Sequence, residues 1–221
     1  MEKLLAAAGW SGILSGSGVG NETSRMHTLW AFNNQAFSSA LGFGERAYLL
    51  YGPAFTKDED ADMHGEAVED ARTFAAGYVS SGAVSLARLG VGAHTVPGFQ
   101  NRTRLDVIVE EQRSNGDLGG HINGLAIGIV HGIDQVGRPG DLVFSPQKIL
   151  AGLNATMFIR LLKETKLADY IDGSRPERKI TLLVPTNRAM EDAFGYGLGD
   201  DADDDQVTKA YIKSVDEHGL D

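Results

Sequence analysis

The chain contains no cysteine. Disulfide scaffolds, cysteine zinc centres and thiol catalysis are therefore excluded. The compartment stays open, because a domain with an adequate core needs no covalent staples even outside a cell. Basic residues are the second deficit: 20 Lys+Arg face 30 Asp+Glu, a formal charge of −10. Phosphate neutralisation needs basic patches, so the balance argues against a nucleic-acid binder and against docking on anionic lipid. Long apolar runs are missing too, and nothing approaches the ~18 residues that span a bilayer, so no direct membrane insertion is expected. Met1–Trp10 reads as a short helix with Leu4, Leu5 and Ala8 on its apolar face rather than as a signal peptide. The last residues carry no lipidation or retention signal. Taken alone, these absences read as cytoplasmic.

What is present is ordinary globular material: 221 residues, 42% hydrophobic and 23% charged. That length suits one large domain or one and a half ordinary ones, with a sizeable core. Three Asn-X-Thr acceptor patterns, at Asn21, Asn101 and Asn154, point towards the secretory route. The rival reading is three plain polar loops.

Motifs for chemistry are scarce. The histidines, at 27, 64, 94, 121, 131 and 218, form no HExxH or other close ligand pair. There is no G-x-S-x-G and no phosphate-binding glycine motif, and Asn21 stands where G-x-G-x-x-G needs its last glycine. His131 lies in an apolar strand and reads as a core imidazole satisfied by backbone. Asp134 faces the other side of a regular strand and reads as a turn tether. The rival reading is a hydrolase using His131 and Asp134. Two acidic runs, Asp58–Asp62 and Asp200–Asp205, read as solvated loop and helix N-terminal charge. The alternative is weak calcium binding at Asp203 and Asp205. No cofactor is expected.

Self-comparison is the most informative step. Leu4-Leu5 followed by Gly9–Gly16 is similar to Leu161-Leu162 followed by Thr165–Gly173. Each reads as a short amphipathic helix stopped at a glycine. Thr28–Phe37 is similar to Thr181–Met190: an apolar strand, a polar turn able to cap, then a new helix. The offset is about 155 residues, the size of a tandem domain. Between the copies, Glu66–Val79 predicts a helix and Leu105–Val109 a strand with one wet face. Asn115-Gly116 and Asn123-Gly124 predict hairpin turns. Ile127–Val136 predicts a buried strand, and Arg138–Asp141 marks a boundary. The division is therefore 1–140, helices first and strands last, and 145–221, which ends before a strand-rich half.

These segments resemble the fasciclin domain family. Thr181–Met190 looks like its first signature box, a TVFAPTNxAF pattern, through Thr181, Pro185, Thr186 and Asn187. Thr28–Phe37 looks like a degenerate copy, through Thr28, Phe32, Asn33, Ala36 and Phe37. Gly128–Val136 resembles the second box, a GVIHVIDxVL pattern, with His131 and Asp134. The resemblance implies an α+β fold in which a helical layer packs on a β-sandwich-like pair of sheets. It implies two tandem units, the second incomplete and the first without its opening helix, and hence an excerpt of a longer secreted glycoprotein. The family's Tyr-His pair is absent from Gly77–Gly82, while Glu217-His218 lies near its place in the second unit. One edge strand between Leu105 and Val136 is expected to be missing.

The function implied is non-enzymatic adhesion, outside the cell or on its surface. The partner would be an extracellular-matrix or cell-wall protein or a glycan. Self-association through the incomplete second unit is a further expectation. The alternative is a structural, glycosylated spacer in a larger surface protein. Contacts are expected around the first-box turns. The stretch after about residue 195 is expected to be poorly ordered or to borrow cover from the first unit.

Overall fold

A computed structural model describes residues 1–15, 27–57, 60–99, 104–109, 122–125, 128–139, 142–174 and 181–194. The chain is mixed, with helices predominating over two small sheets, as an α+β class requires. It opens with helices α1 (Glu2–Ala7) and α2 (Gly12–Ser15), then strand β1 (His27–Phe32). Helices α3 (Asn34–Ala40), α4 (Phe43–Phe55) and α5 (Ala61–Ala76) follow, then β2 (Val79–Ser81) and α6 (Leu86–Leu89). Strands β3 (Gly92–Pro97), β4 (Arg104–Val109), β5 (Ile122–Leu125) and β6 (Gly128–Ile133) come next. Helices α7 (Pro146–Gly152), α8 (Thr156–Glu164) and α9 (Asn187–Phe194) complete the order.

The larger sheet runs β2-β1-β6-β5, and β3 pairs with β4 in a separate antiparallel ribbon. β1 and β6 are parallel neighbours, with Trp30 opposite His131. The first-box strand and the second-box strand therefore lie side by side. Trp30, Thr28 and Phe32 on one face of β1 are buried, as are His27 and Leu29 on the other. A central strand buried on both faces reads as a nearly continuous apolar run, which β1 does. β4 keeps one wet face: Val107 is buried between exposed Asp106 and Ile108.

Three expectations are corrected. The helix placed at Glu66–Val79 is Ala61–Ala76. It begins earlier because the Asp60 carboxylate accepts from the N–H groups of Asp62 and Met63, both at 3.0 Å. It ends earlier because Val79 is taken into β2, against Leu29. Asn123-Gly124 is not a turn but lies inside β5, where the register slips between Asn123 and Leu125. Residues 181–186 form no strand. Leu183 is 89% exposed, and among the described residues no strand lies beside it to take its backbone groups.

Two apolar clusters share the interior. The first joins α1, α2, β1, α3, β2 and the C-terminal half of α5, through Phe74 and Ala75. The second joins Tyr48 of α4 and Met63 and Ala67 of α5 to Leu150, Ile159, Leu162 and Ile171. Helices α7 and α8 thus bury their apolar stripes against α4 and α5. The crossing of α4 and α7 is close because both surfaces are small there. A Cβ at Gly152 would overlap the backbone of Tyr48, and one at Gly44 would meet Ile149 at 2.5 Å.

Candidate functional site

The paired segments share two local structures, a helix closure and a capped helix start. α1 ends with Gly9 at φ 72°. Gly9 N–H donates to Ala6 and Trp10 N–H to Leu5, at 2.9 and 2.7 Å. α8 ends not at the expected glycine but at Lys166, at φ 61°; Gly173 lies seven residues further on, past a separate turn at Ala168–Tyr170. Lys166 N–H donates to Lys163 and Leu167 N–H to Leu162, at 3.1 and 2.7 Å. This is the paired closure that satisfies the last carbonyls of a helix through a left-handed residue. Each bond recurs 157 residues later, Trp10 to Leu5 and Leu167 to Leu162. The first-box turns match as well. Asn33 Oδ1 accepts from Ala36 N–H at 2.8 Å and caps α3. Thr186 Oγ1 accepts from Ala189 N–H at 3.2 Å and caps α9. Phe37 and Met190 are buried in the same place after each cap.

The remaining box residues hold backbone in position. Thr28 Oγ1 donates to Gly82 O and accepts from Val84 N–H, both at 2.8 Å. His131, buried and 4.8 Å from the Trp30 ring, donates through Nε2 to Val84 O at 2.7 Å. One residue from each box thus grips the same loop after β2. Phe32 stacks on Phe37 at 5.1 Å and meets Tyr78 edge-on at 5.0 Å, which sets the angle between β1 and α3. Burial pushes the Tyr78 hydroxyl up to about 12, and that hydroxyl donates to Gly137 O at 2.6 Å. Asp134 stands exposed just past the end of β6. His131 is thus engaged by the loop, while Asp134 faces solvent. Among the described residues no group of three or more His, Asp or Glu could hold a metal ion.

Asn187 has a role that sequence patterns did not reveal. Ala155, at the start of α8, has no side chain able to cap that helix. Asn187 Oδ1 supplies the cap from 30 residues away, accepting from Met157 N–H at 3.1 Å. Its Nδ2 donates to Thr156 Oγ1 at 2.7 Å and to Asn154 Oδ1 at 3.3 Å. Asn154 is exposed at φ 57°, in the left-handed turn that closes α7. Its acceptor-pattern partner Thr156 is buried. Asn34, at the matching place in the earlier segment, is exposed. Thr181 is exposed and Pro185 half-buried. Asn21, Asn101, His121, the Asn115-Gly116 turn, Asp58, Asp203, Asp205, His218 and everything after residue 194 lie outside the described residues.

Two lysines tie the later helices to the earlier ones. Lys148 Nζ donates to Asp70 at 2.7 Å and lies 3.0 Å from Glu66, and the Tyr48 hydroxyl donates to Asp70 at 2.8 Å. Burial opposes the charge on Lys148, but the two carboxylates outweigh it and hold its pKa above the usual lysine value. Burial and the neighbouring Asp70 carboxylate push the Tyr48 hydroxyl well above the usual phenol range. Lys163 Nζ donates to Asp60 at 2.6 Å. Burial opposes ionisation of Asp60, but Lys163 and the α5 N–H groups prevail and lower its pKa.

Beside the first-box turn lies an open groove of about 510 Å³. Phe43, Ala47, Tyr51 and Phe55 of α4 form its apolar wall, and Asn34, Ser38, Arg46 and Asn154 add polar groups. Phe43 is 72% and Tyr51 38% exposed. The i, i+4 spacing of these four residues was the sequence signal that could have found the groove. Among the described residues no helix is long and apolar enough to cross a membrane.

No family model matches this chain, and no curated protein matches it. The fasciclin resemblance therefore rests on the motif residues and on the internal recurrence alone.

Proposed function

We propose that this chain is a non-enzymatic adhesion module of the fasciclin type. A first unit, 1–140, is followed by the helical first half of a second, from 145. The module is secreted or displayed on a cell surface, and it binds an extracellular protein or glycan while its helices and sheets keep the binding loops in place. The observation that carries this is the internal recurrence: one helix closure repeated 157 residues on, and one side-chain-capped helix start repeated at Asn33 and Thr186. The parallel pairing of the two box strands supports it. The engagement of Thr28 and His131 with a single loop fits residues that shape a surface rather than perform chemistry.

Two measurements test this. A solid-phase panel of matrix proteins and wall glycans should give saturable binding to at least one member; uniform failure would count against adhesion. A glycopeptide map of the protein from its native source should find sugar on Asn21, Asn101 or Asn154. A bare 23.6 kDa species would count against the secretory route.

A further inference from the structure

Surface lysine–carboxylate pairs are solvated and hold little. The pair of Lys148 on α7 and Asp70 on α5 is built differently. It is withdrawn from solvent: the two side chains are 14% and 16% exposed, against 39% and 30% for Lys163 and Asp60. It has a third member, since Lys148 Nζ also lies 3.0 Å from Glu66 Oε1. Asp70 Oδ2 takes two donors, Lys148 Nζ at 2.7 Å and the Tyr48 hydroxyl at 2.8 Å. The Tyr48 ring, 5.9 Å from Nζ, belongs to the second apolar cluster, with Ala67 and Leu150. An amine is thus held against a carboxyl group at the edge of a core, with a second carboxylate in reach of its protons.

Condensation of an amine with a carboxylate is held back in water by the reverse hydrolysis. A fixed approach offsets this, because well-oriented intramolecular groups reach effective molarities of about 10⁵–10⁸ M. At rest Lys148 is an ammonium, its proton held by the two carboxylates. Passing one proton along the 2.7 Å bond to Oδ2 gives a neutral amine beside a neutral carboxylic acid. Withdrawal from water favours that uncharged form over the ion pair. The bond has to form only once in the life of a molecule, so a minor population suffices. Burial keeps Tyr48 a phenol, and so a steady donor to Oδ2.

We propose that Lys148 and Asp70 condense to an intramolecular isopeptide bond, with Glu66 as proton shuttle and Tyr48 as the donor that steadies the departing oxygen. The Nζ lone pair forms the new bond to Asp70 Cγ, and the Cγ–Oδ2 bond breaks. Two of the three ammonium hydrogens leave on Oδ2 as water, one passed directly and one through Glu66, which ends as it began. Nζ keeps the third, and the balance needs no other reactant. Asp70 is the acylating group rather than Glu66, whose side chain is 52% exposed and has water to solvate its charge. The link closes a loop across 78 residues and fastens α7 to α5. In a chain without cysteine it does the work of a disulfide, constraining the unfolded state. The inference goes beyond the adhesion reading and stands or falls apart from it.

The test is the intact mass and tryptic map of the full chain, purified and held at neutral pH. The chain should become lighter by one water. Trypsin should no longer cut after Lys148, and fragmentation should find a branched peptide joining the Lys148 side chain to Asp70. Lys148→Arg keeps a cation beside both carboxylates and should fold, but it should hold its full mass. Glu66→Gln, on a half-exposed side chain, should slow the mass loss by about a hundredfold, as for removal of a proton shuttle. A wild-type chain that keeps its full mass, and is still cut after Lys148, overturns the proposal. So does a loss of water that persists in Lys148→Arg, which would place it at another bond. A branched peptide that maps to Glu66 overturns the assignment of Asp70, and an unchanged rate in Glu66→Gln overturns the shuttle.

Discussion

Thr28–Phe37 and Thr181–Met190 end alike and begin differently. Both finish in a helix capped by the side chain before it, with a buried apolar residue one turn on. Their first halves diverge. Thr28 and Trp30 are fully buried in a strand paired on both sides, whereas Thr181 and Leu183 are exposed and unpaired with any described strand. The helix start is a local structure, complete within four residues. The strand is not local, because its backbone groups need a neighbour, and β1 finds β2 and β6 while residues 181–186 find no such partner among the described residues.

The comparison can be broken most forcefully at Trp30 and Leu183, which hold the same place in the two segments. Trp30→Ala should cost about 3–5 kcal/mol in chemical denaturation, whereas Leu183→Ala should stay within about 0.5 kcal/mol. A comparable loss at both would mean that residues 181–186 are covered after all. Next comes the asparagine pair. Asn187→Ala removes the cap of α8 and strands buried polar groups, so a loss of about 2 kcal/mol is expected. Asn34→Ala, at the exposed first residue of α3, should be nearly silent in the same assay.

The helix closures sharpen the comparison at smaller scale. Gly9 and Lys166 share a left-handed conformation that suits only the glycine. Lys166→Gly should therefore raise stability by about 0.5–1 kcal/mol, and Gly9→Ala should lower it by about 1 kcal/mol. Equal, small effects at both sites would show that neither turn is strained.

The smallest effect is electrostatic. The pKa of Asp60 is lowered in the fold, so its contribution is present above the unfolded value and is lost as pH falls through the folded one. Asp60→Asn keeps a capping side chain but drops the charge. It should cost about 0.5–1 kcal/mol at neutral pH, in keeping with a partly exposed pair. That difference should narrow as pH falls through the lowered pKa and close once the wild-type carboxyl is protonated. A gap that persists there would point to geometry rather than charge.

Much of this was legible in the sequence. The Asn33 cap, the Gly9 stop and the wet face of β4 are governed by neighbours within a few residues, and side-chain chemistry at fixed spacing reports such contacts. The apolar run Ile127–Val136 marked β6 but not its extent or burial: the strand is Gly128–Ile133, and from Ile129 to Ile133 only His131 is buried. The exposed fate of Leu183 was not legible, since its apolar neighbours read as a strand whether or not a partner exists. Nor was the start of α5 at Ala61, where a charge run that reads as solvent loop ends in the capping carboxylate of Asp60.

By itself, then, the sequence determined local features and their repetition: a helix at each paired leucine, and a capped helix start that occurs twice. Only the tertiary structure decided what covers what. It set Lys148 against Asp70 across 78 residues and Lys163 against Asp60 across 103. It also let Asn187 cap a helix begun 30 residues earlier, and turned four residues of α4 into the wall of a groove. The physical reason is that a cap or a turn is satisfied within its own few residues, whereas an apolar stripe or a buried charge has its partner named only by the packing of distant segments.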